Sequence, residues 1–93
     1  MTDDTAVGQW LAIELEAICE RNGQIDVVRD SRLPISGYAL YLRVSNAHGE
    51  ALAQWLCDDP ERDSLYHLGQ LLATSYAIEL HDYTPQGLHR QLA

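Results

Sequence analysis

The sequence predicts an α+β fold, with helices on one face of an antiparallel sheet. Three observations predict it. Apolar residues recur at helical spacing from about Thr5 to Arg21, two segments between 24 and 45 alternate apolar with polar residues, and a second helical pattern follows Asp59. The predicted order is a helix, a three-stranded antiparallel sheet, a helix, a short fourth strand and a short C-terminal helix. Residues 1–93 are expected to form a single small acidic domain.

The first predicted helix has start and stop signals. Asp3, Asp4 and Thr5 would cap its start, while Asn22 and Gly23 would end it. One apolar stripe consists of Val7, Leu11, Leu15 and Ile18. A second stripe, on the far side of the same helix, consists of Ala6, Trp10, Ile13 and Ala17. The predicted helix therefore has two apolar faces, one more than a surface helix needs.

Two strands are predicted next, over residues 24–30 and 37–45, separated by a loop that contains Pro34. The second strand alternates strictly. Its two predicted sides are Tyr38, Leu40, Leu42 and Val44 on one, and Ala39, Tyr41 and Arg43 on the other.

Residues 50–57 fit either a strand or a helix. The preceding segment resembles a type I turn closed by a glycine bulge, with Asn46 first and Gly49 in the left-handed conformation, which favours a hairpin and a third strand. The expected pairing places Leu40, Leu42 and Val44 on the same face as Ala51, Ala53 and Trp55, unless a bulge shifts the register.

A second helix is predicted to begin after Asp59, with Pro60 as its first helical residue. Its apolar positions are Leu65, Leu68, Leu72 and Tyr76. Residues 76–83 would form the short fourth strand. Thr84 before Pro85 repeats the cap signature and predicts a terminal helix.

The charge balance excludes several classes of partner. A net charge of −8 on 93 residues repels nucleic acid backbones and anionic membranes, so neither is expected to bind directly. The start of the chain lacks the basic residues of a secretory signal, and no apolar run is long enough to cross a membrane, so a cytoplasmic location is expected. Cys19 and Cys57 are expected to be free thiols.

No residue pattern predicts an enzyme, a metal site or a cofactor. Cys57 could pair with a histidine as a nucleophile, but no local motif supports this reaction. His81, Asp82 and His89 are not spaced as metal ligands, and Pro60 lies where a calcium loop would need flexibility. The expectation is a non-catalytic protein without metal or cofactor.

The main hypothesis is an acidic binding module or inhibitor that engages a basic surface of another protein, as small immunity, anti-restriction and anti-CRISPR proteins do. Its carboxylates would mimic nucleic acid by competing for arginines and lysines that normally hold phosphates. The candidate acidic residues are Asp58, Asp59, Glu61, Asp63, Asp26 and Asp30. The alternative is a structural or chaperone-like homodimer that uses an apolar helix stripe. The candidate apolar residues are Trp10, Ile13, Ala17, Tyr41 and Leu52.

Overall fold

The computed structural model describes residues 9–30 and 32–92, and the side chains up to residue 89. The elements, in chain order, are β1 (Trp10–Arg21), β2 (Gln24–Val28), β3 (Gly37–Ser45), β4 (Ala51–Asp59), α1 (Arg62–Tyr76), β5 (Glu79–Asp82) and α2 (Pro85–Leu92).

The predicted first helix is wrong. The segment from Trp10 to Arg21 is a twelve-residue strand, and the predicted capping residues 3–5 lie outside the described residues. Eight consecutive residues, 12–19, are buried, as expected for a central strand with neighbouring strands along both of its edges. The two apolar stripes of the supposed helix do not match the two sides of the strand, because Leu15 lies on the same side as Ile13 and Ala17, and Ile18 lies on the other. This segment, β1, is the central strand of a five-stranded sheet.

Asn22 and Gly23, which were predicted to end a helix, form the turn that follows this strand. Both have positive φ, 53° and 78°, and Arg21 pairs directly with Gln24. This is a two-residue hairpin loop of the kind that Asn-Gly favours, because its twist matches that of the flanking strands. The chain therefore reverses into β2 instead of leaving a helix.

β1 organises the sheet. β3 pairs with it along one edge, and the other edge is shared by β5 beside its first half and β2 beside its second half. β4 pairs with β3 and forms the outer edge on that side. All pairings are antiparallel except that of β5, which runs parallel to β1. The predicted fourth strand therefore exists, and it pairs with the central strand β1.

The predicted strand over 37–45 is confirmed, and so is the hairpin after it. Gly49 has a φ of 80°, and its N–H donates to the carbonyl of Asn46. The expected facing of β4 is wrong. Trp55 pairs with Tyr41, and Leu52 pairs with Val44, because the turn sets Ser45 opposite Ala51 and the register stays regular from there to Trp55.

α1 begins later than predicted. Its first residue is Arg62, so Pro60 precedes the helix instead of opening it, and Glu61 is the N-cap without a side-chain cap. The Asp59 carboxylate accepts the N–H of Glu61 at 2.8 Å and stabilises the turn between β4 and α1. The helix ends where Ala77 takes a left-handed conformation, with φ of 55°.

The main core lies between α1 and one face of the sheet. Gly69 lies where the helix comes closest to the strands: a Cβ there would be 3.0 Å from Leu80 and 3.3 Å from Leu40. The buried residues of this core are Ile13, Leu15, Leu40, Leu42, Val44, Leu65 and Ala73. None of the described helices is long and apolar enough to span a membrane.

Candidate binding surface

The sheet has one face that neither α1 nor α2 covers within the described residues, here called the open face. Strand alternation and register assign its members. They are Ala12, Glu14, Glu16, Ile18 and Glu20 of β1, Ile25 and Val27 of β2, Ala39, Tyr41 and Arg43 of β3, Ala51, Ala53, Trp55 and Asp58 of β4, and Glu79 and His81 of β5.

Two ion pairs occupy the centre of the open face. Arg43 binds Glu14 through two hydrogen bonds of 2.8 and 3.2 Å, and Arg29 binds Glu16 through two of 2.6 and 3.2 Å. Both carboxylates are buried, whereas the arginines remain partly exposed. These contacts join β1 to β3 and to the segment after β2, and bidentate geometry fixes the guanidinium planes.

Aromatic groups surround the ion pairs. The Arg29 guanidinium lies 4.3 Å from the centre of the Tyr83 ring, and the Tyr83 hydroxyl shares a 3.2 Å hydrogen bond with His81 Nδ1. The hydrogen bond to Glu16 raises the pKa of Arg29. Burial, together with the negative charges of Asp58 and Glu16, raises the pKa of Tyr41. The arginines therefore stay charged and the phenol stays neutral at ordinary pH.

Trp55 is the most exposed aromatic side chain on this face, with 61% of its surface accessible. Its indole N–H donates to the Asp58 carboxylate at 2.5 Å. The β4 bulge places these two residues on the same side although they are three positions apart. The hydrogen bond satisfies the one polar atom of the ring and leaves its apolar surface facing solvent.

The six predicted acidic residues do not form one patch. Asp58 lies on the open face, whereas Asp59, Glu61 and Asp63 lie at the connection from β4 to α1. Asp63 pairs with Arg62 at 3.0 Å. β1 and β3 separate β4 from Asp26 on β2, and Asp30 follows β2 on that side. Only the run from 58 to 63 is contiguous.

Asp30 is already bound within the chain. Arg32 donates from its backbone and its guanidinium, and these hydrogen bonds lower the carboxyl pKa from 3.8 to about 2. Because the folded pKa is the lower one, the pair stabilises the fold above about pH 4, and this contribution disappears as pH falls towards 2.

A carbon-detected NMR titration tests this pair. We expect the Asp30 carboxyl to titrate near pH 2 in the native chain and at a clearly higher pH in Arg32→Gln, which removes the guanidinium but keeps the backbone donor. Asp63→Asn is the control, since it removes a carboxylate that does not contact Asp30. An unchanged Asp30 titration in Arg32→Gln would contradict the assignment of the shift to this arginine.

The predicted apolar residues are also separated. Ile13 lies in the core beneath α1, and Ala17 is buried among Cys19 and Val28. Trp10 is half-exposed and packs edge-on against Tyr76 of α1, with ring centres 4.5 Å apart. Tyr41 lies on the open face and Leu52 on the helix-covered side of β4. The predicted stripe on a helix therefore does not exist.

The thiols show no sign of activation. Burial first, and then the charges of Asp58 and Asp59, raise the pKa of Cys57, which is the opposite of what a nucleophile needs. Cys19 is buried, and both thiols are free. Within the described residues, no group of three or more histidine, cysteine or acidic side chains could hold a metal ion.

A buried polar cluster joins α1, β5 and α2. Arg62 binds the Asp82 carboxylate, which also accepts the backbone N–H of Thr84 at 3.0 Å and its hydroxyl at 2.6 Å. The Thr84 hydroxyl accepts the N–H of Gly87 at 3.1 Å, which confirms the predicted cap of the terminal helix. A cleft lies beside this cluster, and Arg62 is one of the residues that line it. Because the Arg62 guanidinium is already paired with Asp82, we assign the cluster a structural role.

Sequence reasoning missed the residues at the centre of the open face, namely Glu14, Glu16 and Arg29. The alternation of glutamates with apolar residues from Ile13 to Ala17 was the available signal, because it has the period of a strand. Their arginine partners could not be found in this way, since they lie 13 and 29 positions along the chain.

The chain matches no protein-family model, no curated protein and no solved structure. Its function must therefore be inferred from the geometry of its own surfaces.

Proposed function

We propose that the chain is a non-catalytic protein-binding module that holds a basic surface of a partner protein against its open face. The observation that carries this proposal is an exposed tryptophan hydrogen-bonded to a carboxylate, on a sheet face that no described helix covers. Such a face combines an aromatic anchor with charge, as protein-binding surfaces do.

The charge of the open face is negative. Five carboxylates face two guanidinium groups, counting Arg29, which reaches onto the face from the end of β2. The carboxylates are Glu14, Glu16, Glu20, Asp58 and Glu79. The two arginines neutralise the central pair, so Glu20, Asp58 and Glu79 supply the remaining charge at the rim. Lysines or arginines of a partner would complement these positions.

Trp55 and Asp58 together suit an arginine of the partner. A guanidinium can stack on the indole while it donates to the adjacent carboxylate, and both interactions strengthen as water is excluded. Because the indole N–H already holds the carboxylate, the two groups are ordered before binding.

Asp59, Glu61 and Asp63 lie just beyond Asp58 and add to the field that attracts a basic partner. With a net charge of −8, the chain would associate faster with such a partner at low salt. A protein that normally binds a nucleic acid backbone presents this kind of surface, so an inhibitor of the anti-CRISPR, anti-restriction or immunity type remains our proposal. The free thiols support the proposed cytoplasmic location.

A short synthetic peptide of alternating arginine and leucine is the first probe of this function. We expect it to shift the NMR signals of the Trp55 indole and Tyr41 at low salt, and to bind about threefold more weakly to Asp58→Asn. The matched control is Asp63→Asn, which makes the same change of charge at the start of α1, away from the open face. The same peptide with citrulline in place of arginine tests the need for positive charge.

Two outcomes would contradict the proposal. Equal weakening by Asp58→Asn and Asp63→Asn would mean that only the overall charge attracts the peptide. Peptide-induced shifts confined to residues 59–63 would place binding at the β4–α1 connection instead of the open face.

A further inference from the structure

β4 is a long edge strand whose outer side is unpaired within the described residues. Its inner side pairs with β3, and it lies at the end of the strand order. Nine residues at about 3.3 Å each give an edge of roughly 30 Å, along which alternate backbone N–H and C=O groups lack a partner strand.

Natural proteins protect such an edge with charge, proline or short length, and β4 has none of these over most of its course. Residues 51–57 contain no charged residue and no proline. The opposite side of the sheet differs: β2 has five residues, including Asp26, and β5 has four, including Glu79. The bulge in β4 lies towards its end and leaves residues 51–55 in regular register.

Exposed apolar side chains lie on both faces of this edge. Trp55 projects on the open face, and Leu52 is half-exposed on the other. α1 continues the apolar surface. Tyr66 lines the cleft on the β5 side of the helix, so the opposite flank, with Leu68 and Leu71, lies towards β4. The exposed apolar area therefore continues around the edge.

We propose that a second copy of this chain occupies the β4 edge, pairing β4 with β4 in antiparallel orientation about a two-fold axis at Ala53. The pairing would join two five-stranded sheets into one of ten strands. This goes beyond the binding of a basic partner and does not depend on it, because both open faces would remain on the same side of the joined sheet.

The side chains of β4 complement themselves in this arrangement. On the open face, Trp55 of each copy lies opposite Ala51 of the other, so each large ring meets a small residue. On the other face, Leu52 lies opposite Gln54. The two copies therefore avoid a clash of tryptophans, and the axis itself places the small side chain of Ala53 opposite its own copy.

Charge favours the same register. With the axis at Ala53, Asp58 of one copy lies near His48 of the other, and Glu50 lies near the uncharged Leu56. An axis at Gln54 would instead place Glu50 opposite Asp58, and like charges directly opposite are destabilising. Because residues 51–57 are uncharged, two chains that each carry a net charge of −8 can pair along this segment without bringing their acidic groups together.

Sedimentation equilibrium of the full chain tests the proposal. We expect the native chain to shift from monomer to dimer between about 1 and 100 μM, the range of a modest interface. Ala53→Lys would place two ammonium groups at the axis and raise the dissociation constant at least about tenfold. Its matched control is Gln24→Lys, which adds the same ammonium group at an exposed position of β2, on the opposite side of the sheet from β4. Circular dichroism establishes that both variants fold.

A crosslinking experiment gives a second measurement that does not depend on the stability of Ala53→Lys. In a Cys57→Ser background, Ala53→Cys should form a disulfide-linked dimer on mild oxidation, whereas Ala47→Cys should not, because only residue 53 lies opposite itself. A native chain that stays monomeric at millimolar concentration would overturn the proposal. So would a dimer that Ala53→Lys leaves unchanged, or equal crosslinking at positions 47 and 53.

Discussion

Leu15→Ala is expected to lower the free energy of unfolding by about 2 to 5 kcal/mol, the range for truncating a leucine in a close-packed core. Leu15 has no exposed surface. It pairs with Leu40 on one side of β1 and with Asp82 on the other, in the strand that three other strands share. A cavity here would be surrounded by strands on both sides, which limits how far the structure can collapse to fill it.

Urea unfolding followed by circular dichroism measures this change. The control is Leu11→Ala, in the same strand and chemically identical, at a position that is 41% exposed. A spacing of four residues would put Leu11 and Leu15 on one face of a helix and of a regular strand alike. In β1 the pairing with β3 is irregular between Trp10 and Ala12, and Leu11 is exposed, so we expect its loss to be less than about half of that at Leu15. Equal losses would contradict the exposed position of Leu11.

The same segment explains why the predicted fold, a helix followed by a three-stranded sheet and a second helix, was wrong. Leucine, alanine and glutamate favour helices, and the spacing of Leu11, Leu15 and Ile18 fits a helical face. From Ile13 to Ala17 the chain also has the period of a strand, and burial on both sides made the two patterns hard to separate. Pairing with three other strands, a non-local effect, outweighed the local preference.

Elements whose signals are local were predicted well. The β3 strand was predicted to the residue, and the Asn46–Gly49 turn had the expected conformation, because alternation and turn chemistry act over a few positions. The Asn22-Gly23 pair was an equally local hairpin signal, but the predicted helix before it led to the wrong interpretation. The wrong prediction of a helix therefore led to a wrong interpretation of the turn that follows it.

The residues of the open face, too, could be predicted only where the signal is local. Tyr41 and Arg43 could be placed on a common side of β3 from alternation alone. The adjacency of Trp55 and Asp58 depends on a bulge, and the Arg29–Glu16 pair depends on which strands are neighbours. Neither a bulge nor strand order is encoded in a short stretch of sequence, so these contacts could be found only in the folded chain.

Asp82→Ala is expected to lower the free energy of unfolding by about 3 to 5 kcal/mol, because it removes the buried counter-charge of Arg62 and leaves its guanidinium only the exposed carboxylate of Asp63. The side chains of Arg62 and Asp82 are 11% and 13% exposed. The substitution also removes the acceptor of the Thr84 backbone N–H and of its hydroxyl. One carboxylate therefore connects the start of α1, the end of β5 and the cap of α2.

The matched control uses the other carboxylate that contacts Arg62. Asp63 is 81% exposed, and we expect Asp63→Ala to change stability by no more than about 1 kcal/mol, as for a surface pair. Urea unfolding of both variants compares a buried and an exposed partner of one arginine. Similar losses in the two variants would mean that burial of the Arg62–Asp82 pair does not determine its contribution.

Asp82→Asn separates the two roles of this carboxylate. The amide oxygen can still accept from Thr84, so the cap of α2 can persist, whereas the charge opposite Arg62 is lost. If the charge dominates, Asp82→Asn should lose nearly as much stability as Asp82→Ala. If the cap dominates, Thr84→Ala should lose nearly as much as Asp82→Ala, and Asp82→Asn little. We expect the charge to dominate, because the loss of the buried counter-charge of a guanidinium costs more than the loss of a neutral hydrogen bond.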